Sequence, residues 1–208
     1  MESKSLISLG INCEASFQIK RKYAELDSFI FSWAWIPNEK CILNTINNIN
    51  LIGSEGFKVD YNTGNMCVCN KTGMKFHGRK KISLLKNDVE IADFLQEVAD
   101  RVAYLKRKFL IKVQGNDKKI FLFKRSEKIS APLENFAPEL YTALKSINAR
   151  NFDLVIISHK NYEAPPLDLP GVYNRYLERY SPYTNVADSC TTSWDRIFDE
   201  FLPISDHS

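Results

Sequence analysis

The chain has 208 residues, enough for one domain with a sizeable core. Hydrophobic residues make up 44 % and charged residues 25 %, a globular composition that excludes a disordered chain. The formal net charge is +3, and no apolar run approaches the length of a membrane span.

In chain order, Ser5–Leu9 is short, apolar and followed by Gly10, and reads as a buried strand. Glu14–Tyr23 reads as a helix with Ala15, Ile19 and Tyr23 on one face and Asn12 as its N-cap. Phe29–Trp35 is an aromatic-rich strand or extended segment stopped by Pro37-Asn38, and Glu39–Ile49 is helical. From Phe57 to Phe76 the pattern alternates in twos around Asn62-Thr63-Gly64-Asn65, a β-hairpin that makes 55–78 an insertion. Val89–Leu110 is the longest helix. Lys119–Lys124, Pro132–Ile147 and Phe152–Ser158 form a strand–helix–strand unit, whose strands are normally parallel. Val172–Tyr180 adds a strand and Ser193–Leu202 a closing helix. The expectation is a single α/β domain with a mainly parallel sheet between helices, a flavodoxin- or SGNH-like three-layer arrangement.

The five cysteines, Cys13, Cys41, Cys67, Cys69 and Cys190, are an odd number at irregular spacing, which suits a reducing cytoplasm. The Cys67-x-Cys69 pair has no second pair or neighbouring His, so neither a metal nor another cofactor is expected. The short apolar stretch before Gly10 is below the length of a secretory signal, so a cytoplasmic location is expected. The basic runs Arg79-Lys80-Lys81 and Lys106-Arg107-Lys108 lack interleaved aromatics, and nucleic acid is not an expected partner.

Chemistry concentrates at Ser8-Leu9-Gly10-Ile11-Asn12-Cys13. In open α/β sheets, ligands collect beyond the carboxyl ends of the strands. A thiol at the start of the next helix faces unpaired N–H groups and the positive end of the dipole, which lower its pKa. The same groups, with Asn12, would hold an oxyanion, and Gly10 would admit substrate close to the backbone. A small buried cysteine is the competing reading. A base would come from His77, which precedes a Gly turn, or from His159, at the end of the strand Phe152–Ser158. His207 is the penultimate residue and is set aside. Arg125 closes a strand at the carboxyl edge, where it would clamp a phosphate or carboxylate.

Ser8-Leu9-Gly10-x-Asn12-Cys13 resembles the signature of an uncharacterised bacterial family described as papain-like cysteine peptidases. Phe31-Ser32-Trp33, Phe76-His77, the strand ending in Arg125 and Trp194-Asp195-Arg196-Ile197-Phe198 are similar to later family elements in the same order. The resemblance implies Cys13 as nucleophile and His77 as base, and Ser32 and Trp33 join Gly10, Asn12 and Arg125 as candidates to bind substrate or its oxyanion. Gly78 and Ser32 stand where members tend to carry Asp, which leaves the third, orienting residue unassigned. Members occur among surface-glycan genes, which implies a small-molecule or glycan substrate and an acyl donor. The peptidase description implies the alternative papain-like α+β fold, with the nucleophile on a long helix beside a separate barrel.

Three functions follow. The first is a Cys–His enzyme of acyl transfer or hydrolysis through a thioester, acting in glycan metabolism. The second is a peptidase. The third is a non-catalytic ligand-binding domain, with Cys13, Asn12, Trp33 and Arg125 lining its pocket.

Overall fold

A computed structural model describes residues 4–24, 27–126, 131–182 and 184–202. Four strands, β1 (Lys4–Ser8), β6 (Lys118–Lys124), β7 (Phe152–His159) and β8 (Val172–Leu177), lie side by side in that order. Every neighbouring pair is parallel, with Ile7 opposite Phe121 and Phe121 opposite Leu154. A parallel sheet covered on both faces needs apolar residues on both, and β6 supplies them. Phe121 and Phe123 point into one core and Ile120 and Leu122 into the other.

Those two cores define three layers. On one face lie α1 (Glu14–Tyr23) and α5 (Thr191–Phe201), which meet over Ala15, Ile19, Trp194, Ile197 and Phe198. Trp194, Ile197, Phe198 and Phe201 recur at helical spacing, which gives α5 one apolar stripe. The other face carries α2 (Glu39–Asn47), α3 (Asp88–Gln114) and α4 (Leu133–Ser146). Asn38 caps α2 by accepting from the Cys41 N–H, and Asn87 caps α3 by accepting from the Glu90 N–H. The fold is thus α/β with a parallel sheet between helices, not the papain-like α+β alternative.

The hairpin expected within 57–76 is part of a second sheet. β2 (Ala34–Trp35), β5 (Lys75–His77), β4 (Met66–Cys69) and β3 (Phe57–Asp60) form an antiparallel sheet in that order. It packs into the same core as α3, through Phe57, Cys67, Cys69 and Phe76.

Two local expectations are corrected. Only Ala34–Trp35 of the Phe29–Trp35 segment is strand. Ser32 is the reason: its Oγ accepts from the Phe29 N–H at 2.9 Å, and its own N–H donates to the Phe29 carbonyl. A serine that bonds nearby backbone offers the chain a turn in place of a ladder. The N-cap of α1 is Cys13 rather than Asn12, which sits one residue earlier and accepts from the Glu14 N–H at 3.1 Å. His207 lies outside the described residues.

Candidate functional site

The loop after β1 carries Cys13 to the carboxyl edge of the parallel sheet. Gly10 makes the approach possible: its φ is +79°, and a Cβ there would meet the Phe31 carbonyl and the Ile36 side chain, each at 3.2 Å. The Ile36 N–H donates to the Ile11 carbonyl at 2.9 Å, which ties this loop to the segment leading out of β2.

Helix α1 then presents two sides. On one, the Ser16 hydroxyl donates to the Ser32 carbonyl at 2.6 Å, and the Phe17 ring lies edge-on to Trp33 at 5.3 Å. On the other, Glu14 reaches Lys124, and Gln18 donates to the Ala187 carbonyl at 3.0 Å. Residues three and four apart share a helix side, so Cys13 belongs with Ser16 and Phe17. Helical spacing therefore puts position 13 on the Trp33 side of α1. One residue beyond the Ala34–Phe76 pair of β2 and β5 stand Trp33 and His77. No hydrogen bond joins Cys13 to His77 or to His159.

Cys13 is half-buried, and burial pushes its thiol up to about 11. The sequence expectation of a depressed thiol is corrected here. Among the described residues no charged group offsets the loss of water, and desolvation favours the neutral form. The resting side chain is a thiol and needs a base.

His77 is half-buried on β5. Burial, reinforced by the Arg101 guanidinium, holds its pKa below the ordinary histidine value, so the ring is neutral at pH 7. Its Nδ1 lies 3.3 Å from the Asn65 Oδ1. Its carbonyl accepts from Arg101 of α3.

His159 belongs to a different neighbourhood. Its Nδ1 accepts from the Asn161 N–H at 3.1 Å, and its ring lies edge-on to Tyr180 at 5.4 Å. With Asn161, Tyr162, Arg179 and Tyr180 it lines a small cavity of about 270 Å³. The Lys124 Nζ stands 4.0 Å from the Tyr180 ring centre and 2.9 Å from Glu14 Oε2. Glu14, with no exposed surface, also accepts from Ser181, Ser189 and the Trp194 indole. A larger cleft of about 690 Å³ lies at the amino end of β1, between Lys4, Leu6, Ile19, Tyr23, Phe29 and Lys112. It is at the opposite end of the strand from Cys13, and its size does not make it the chemical site.

Compared with family models, with curated proteins and with solved structures, the chain matches none. Function therefore rests on the residues themselves. No helix among the described residues is long and apolar enough to cross a membrane, and none of their His, Cys, Asp and Glu side chains gather in threes to hold a metal.

The remaining sequence candidates are held by the fold. Ser32 is buried in its turn, and the Trp33 indole donates to the Ser28 hydroxyl at 2.9 Å while its ring packs on Phe17. Asn12 uses its Oδ1 on a helix-start N–H that an oxyanion would otherwise meet. Arg125 is buried: its Nε pairs with Glu39, and its Nη2 donates to the Ala131 carbonyl. Glu39 completes the unit by accepting from the Ala131 N–H at 3.0 Å. Arg125→Lys keeps the charge but loses the fork, so stability should fall by about 1–3 kcal/mol. Urea unfolding at pH 7 measures this, and an unchanged midpoint would free Arg125 for the ligand-clamp role.

Sequence reading missed Asn65, Arg101 and the partners of Glu14. Asn65 was hidden as a turn residue, although counting back along an antiparallel hairpin brings it beside His77. The Glu14 pair had a signal: a lysine ending the apolar run Ile120-Phe121-Leu122-Phe123 implies a buried partner.

Proposed function

We propose that the chain is a cysteine-dependent acyl-transfer enzyme, hydrolase or transferase, with Cys13 as nucleophile and His77 as base. The observation that carries the reading is the disposition of α1. Cys13 shares the helix side that packs on Trp33, and His77 is level with Trp33 in the register of the second sheet. His159 serves the other side, with Tyr180 and Lys124.

The chemistry follows from the two titration states. A thiol pushed up to about 11 does not ionise alone at pH 7. A neutral imidazole accepts its proton as the sulfur attacks the acyl carbon. The carbonyl π electrons move to oxygen, and N–H groups at the start of α1 stabilise that charge. The tetrahedral intermediate collapses with cleavage of the bond to the leaving group, to which His77 returns the proton. A thioester on Cys13 remains, and water or an acceptor hydroxyl removes the acyl group, again with proton transfer through His77.

The resemblance to a family set among surface-glycan genes directs attention to acyl esters or thioesters of glycan precursors. The test uses p-nitrophenyl acetate as probe. Mass mapping should find one acetyl group on Cys13, with a burst of nitrophenolate; Cys13→Ala and His77→Ala should each lose both. An inert Cys13 gives the site to a ligand-binding domain. Fragments released from an unfolded protein substrate, without transfer to small acceptors, give it to a peptidase.

A further inference from the structure

The position after His77 is closed to any side chain. A Cβ on Gly78 would fall 2.0 Å from the Phe94 ring of α3, inside any tolerated contact. No side chain has room there, so a residue that orients His77 has to come from elsewhere in the fold. An adjacent strand supplies one. The Asn65 carbonyl accepts from the Gly78 N–H at 2.7 Å, and the Gly64 carbonyl accepts from the Ile82 N–H at 2.8 Å. Met66, the next residue, is paired with His77. The backbone at 65 is therefore keyed to the backbone around 77, and the side chains of the two residues meet at 3.3 Å. Arg101 fixes the other side by donating to the His77 carbonyl.

We infer that Asn65 is the positioning residue of this site: its Oδ1 accepts the Nδ1–H of His77 and leaves Nε2 as the basic nitrogen. The inference rests on the reading of His77 as base. A neutral imidazole carries one N–H, and the partner of that N–H decides which nitrogen is free to take a proton. An amide oxygen holds the tautomer without placing a negative charge beside the ring. Asn65 thus differs from an aspartate in the state it selects, a neutral base rather than an imidazolium. The charged and titratable groups around His77 are Arg101 of α3, with Glu97 and Arg79 beside it, and Cys67 of β4. Two residues back on β5, Lys75 is paired with Asp60.

Nitrogen-15 NMR of histidine-labelled protein tests this without any substrate. In the wild-type chain the His77 Nδ1 should be the protonated nitrogen near pH 8. In Asn65→Ala the ring should move toward the Nε2–H tautomer, while the backbone bond to Gly78 survives. In Asn65→Asp the Nδ1–H should persist and the His77 pKa should rise, because a carboxylate favours the imidazolium. With the ester probe, Asn65→Ala should lower the acylation rate on the order of 10²-fold with little change in KM, less than loss of a triad carboxylate costs elsewhere. Asn65→Asp should recover activity with its acid limb moved to higher pH. A protonated Nε2 in the wild type, or a tautomer indifferent to Asn65→Ala, overturns the inference. If the tautomer responds as expected and Cys13 is never acylated, Asn65 still orients His77, and the assignment of His77 as base to Cys13 is what fails.

Discussion

Glu14→Gln should lower the stability of the folded chain by about 3–5 kcal/mol, the usual cost of removing one partner from a buried ion pair. The carboxylate has no exposed surface and takes donors from four residues far along the chain: Lys124, Ser181, Ser189 and Trp194. It is the point where the start of α1, the end of β6 and the segment between β8 and α5 converge. An amide keeps the shape and loses the charge, which leaves Lys124 buried against the Tyr180 ring without its counter-ion. Lys124→Met should cost less, because Glu14 retains two hydroxyl donors and the indole.

The pH dependence separates charge from packing. Burial pushes the Glu14 carboxyl up, but Lys124, Ser189 and Ser181 together outweigh it, and the net shift is below the ordinary value of 4.5. A depressed folded-state pKa gives stability that is fully present above the unfolded value and disappears as pH falls through the folded one. Wild-type stability should therefore decline as pH falls below about 4.5, and the difference between wild type and Glu14→Gln should shrink over that range. Asp60 and Asp117 are also held low, by Lys75 and by Lys112 and Lys119, but they are common to both proteins and cancel in the difference. Urea titrations across pH 3–7 read the result. A constant difference down to pH 3 would mean that Glu14 acts through shape alone.

The parallel sheet was legible because its strands are short apolar runs with helix-length spacers, a pattern that has few other solutions. The start of α1 was legible to within one residue, from Gly10 and the Asn12-Cys13 step. What sequence could not reach was set by partners far away in the chain. Glu14 meets Trp194 across 180 positions, and nothing local to residue 14 distinguishes it from a solvated first-turn acid. Arg125 was read as a ligand clamp because strand ends gather ligands, yet its counter-ion, Glu39, comes from a helix whose placement sequence did not fix. The thiol of Cys13 illustrates two rules in competition. The helix start lowers a pKa, burial raises it, and which prevails depends on how much protein surrounds the sulfur. Ser32 misled in a similar way: the aromatic run around it has strand character, and its hydroxyl turns the chain instead.

Removing either Cys13 or His77 should abolish acylation by the ester probe, and removing both should be hardly worse than removing one. Residues that act as one unit are non-additive, and loss of a nucleophile or its base typically costs on the order of 10⁴–10⁶ in kcat. The pH profile distinguishes how the pair works. A preformed thiolate–imidazolium pair gives a bell, with its alkaline limb where the imidazolium loses its proton. The titration states here point elsewhere. His77 is held below the ordinary histidine value, and Cys13 is pushed up to about 11. The free enzyme then carries a neutral base and a protonated thiol over the whole neutral and mildly alkaline range. The kcat/KM should rise below pH 6.5 as His77 loses its proton, then stay level through pH 9. A fall between pH 8 and 9 would identify an ion pair and contradict the burial-driven state of Cys13. His159→Ala is the control. Its Nδ1 is occupied by the Asn161 N–H and its ring faces Tyr180, so the acylation rate should be unchanged. Activity that survives His77→Ala and disappears in His159→Ala would move the base to the β7 edge. Survival in both would end the Cys–His mechanism and leave Cys13 as the wall of a ligand pocket.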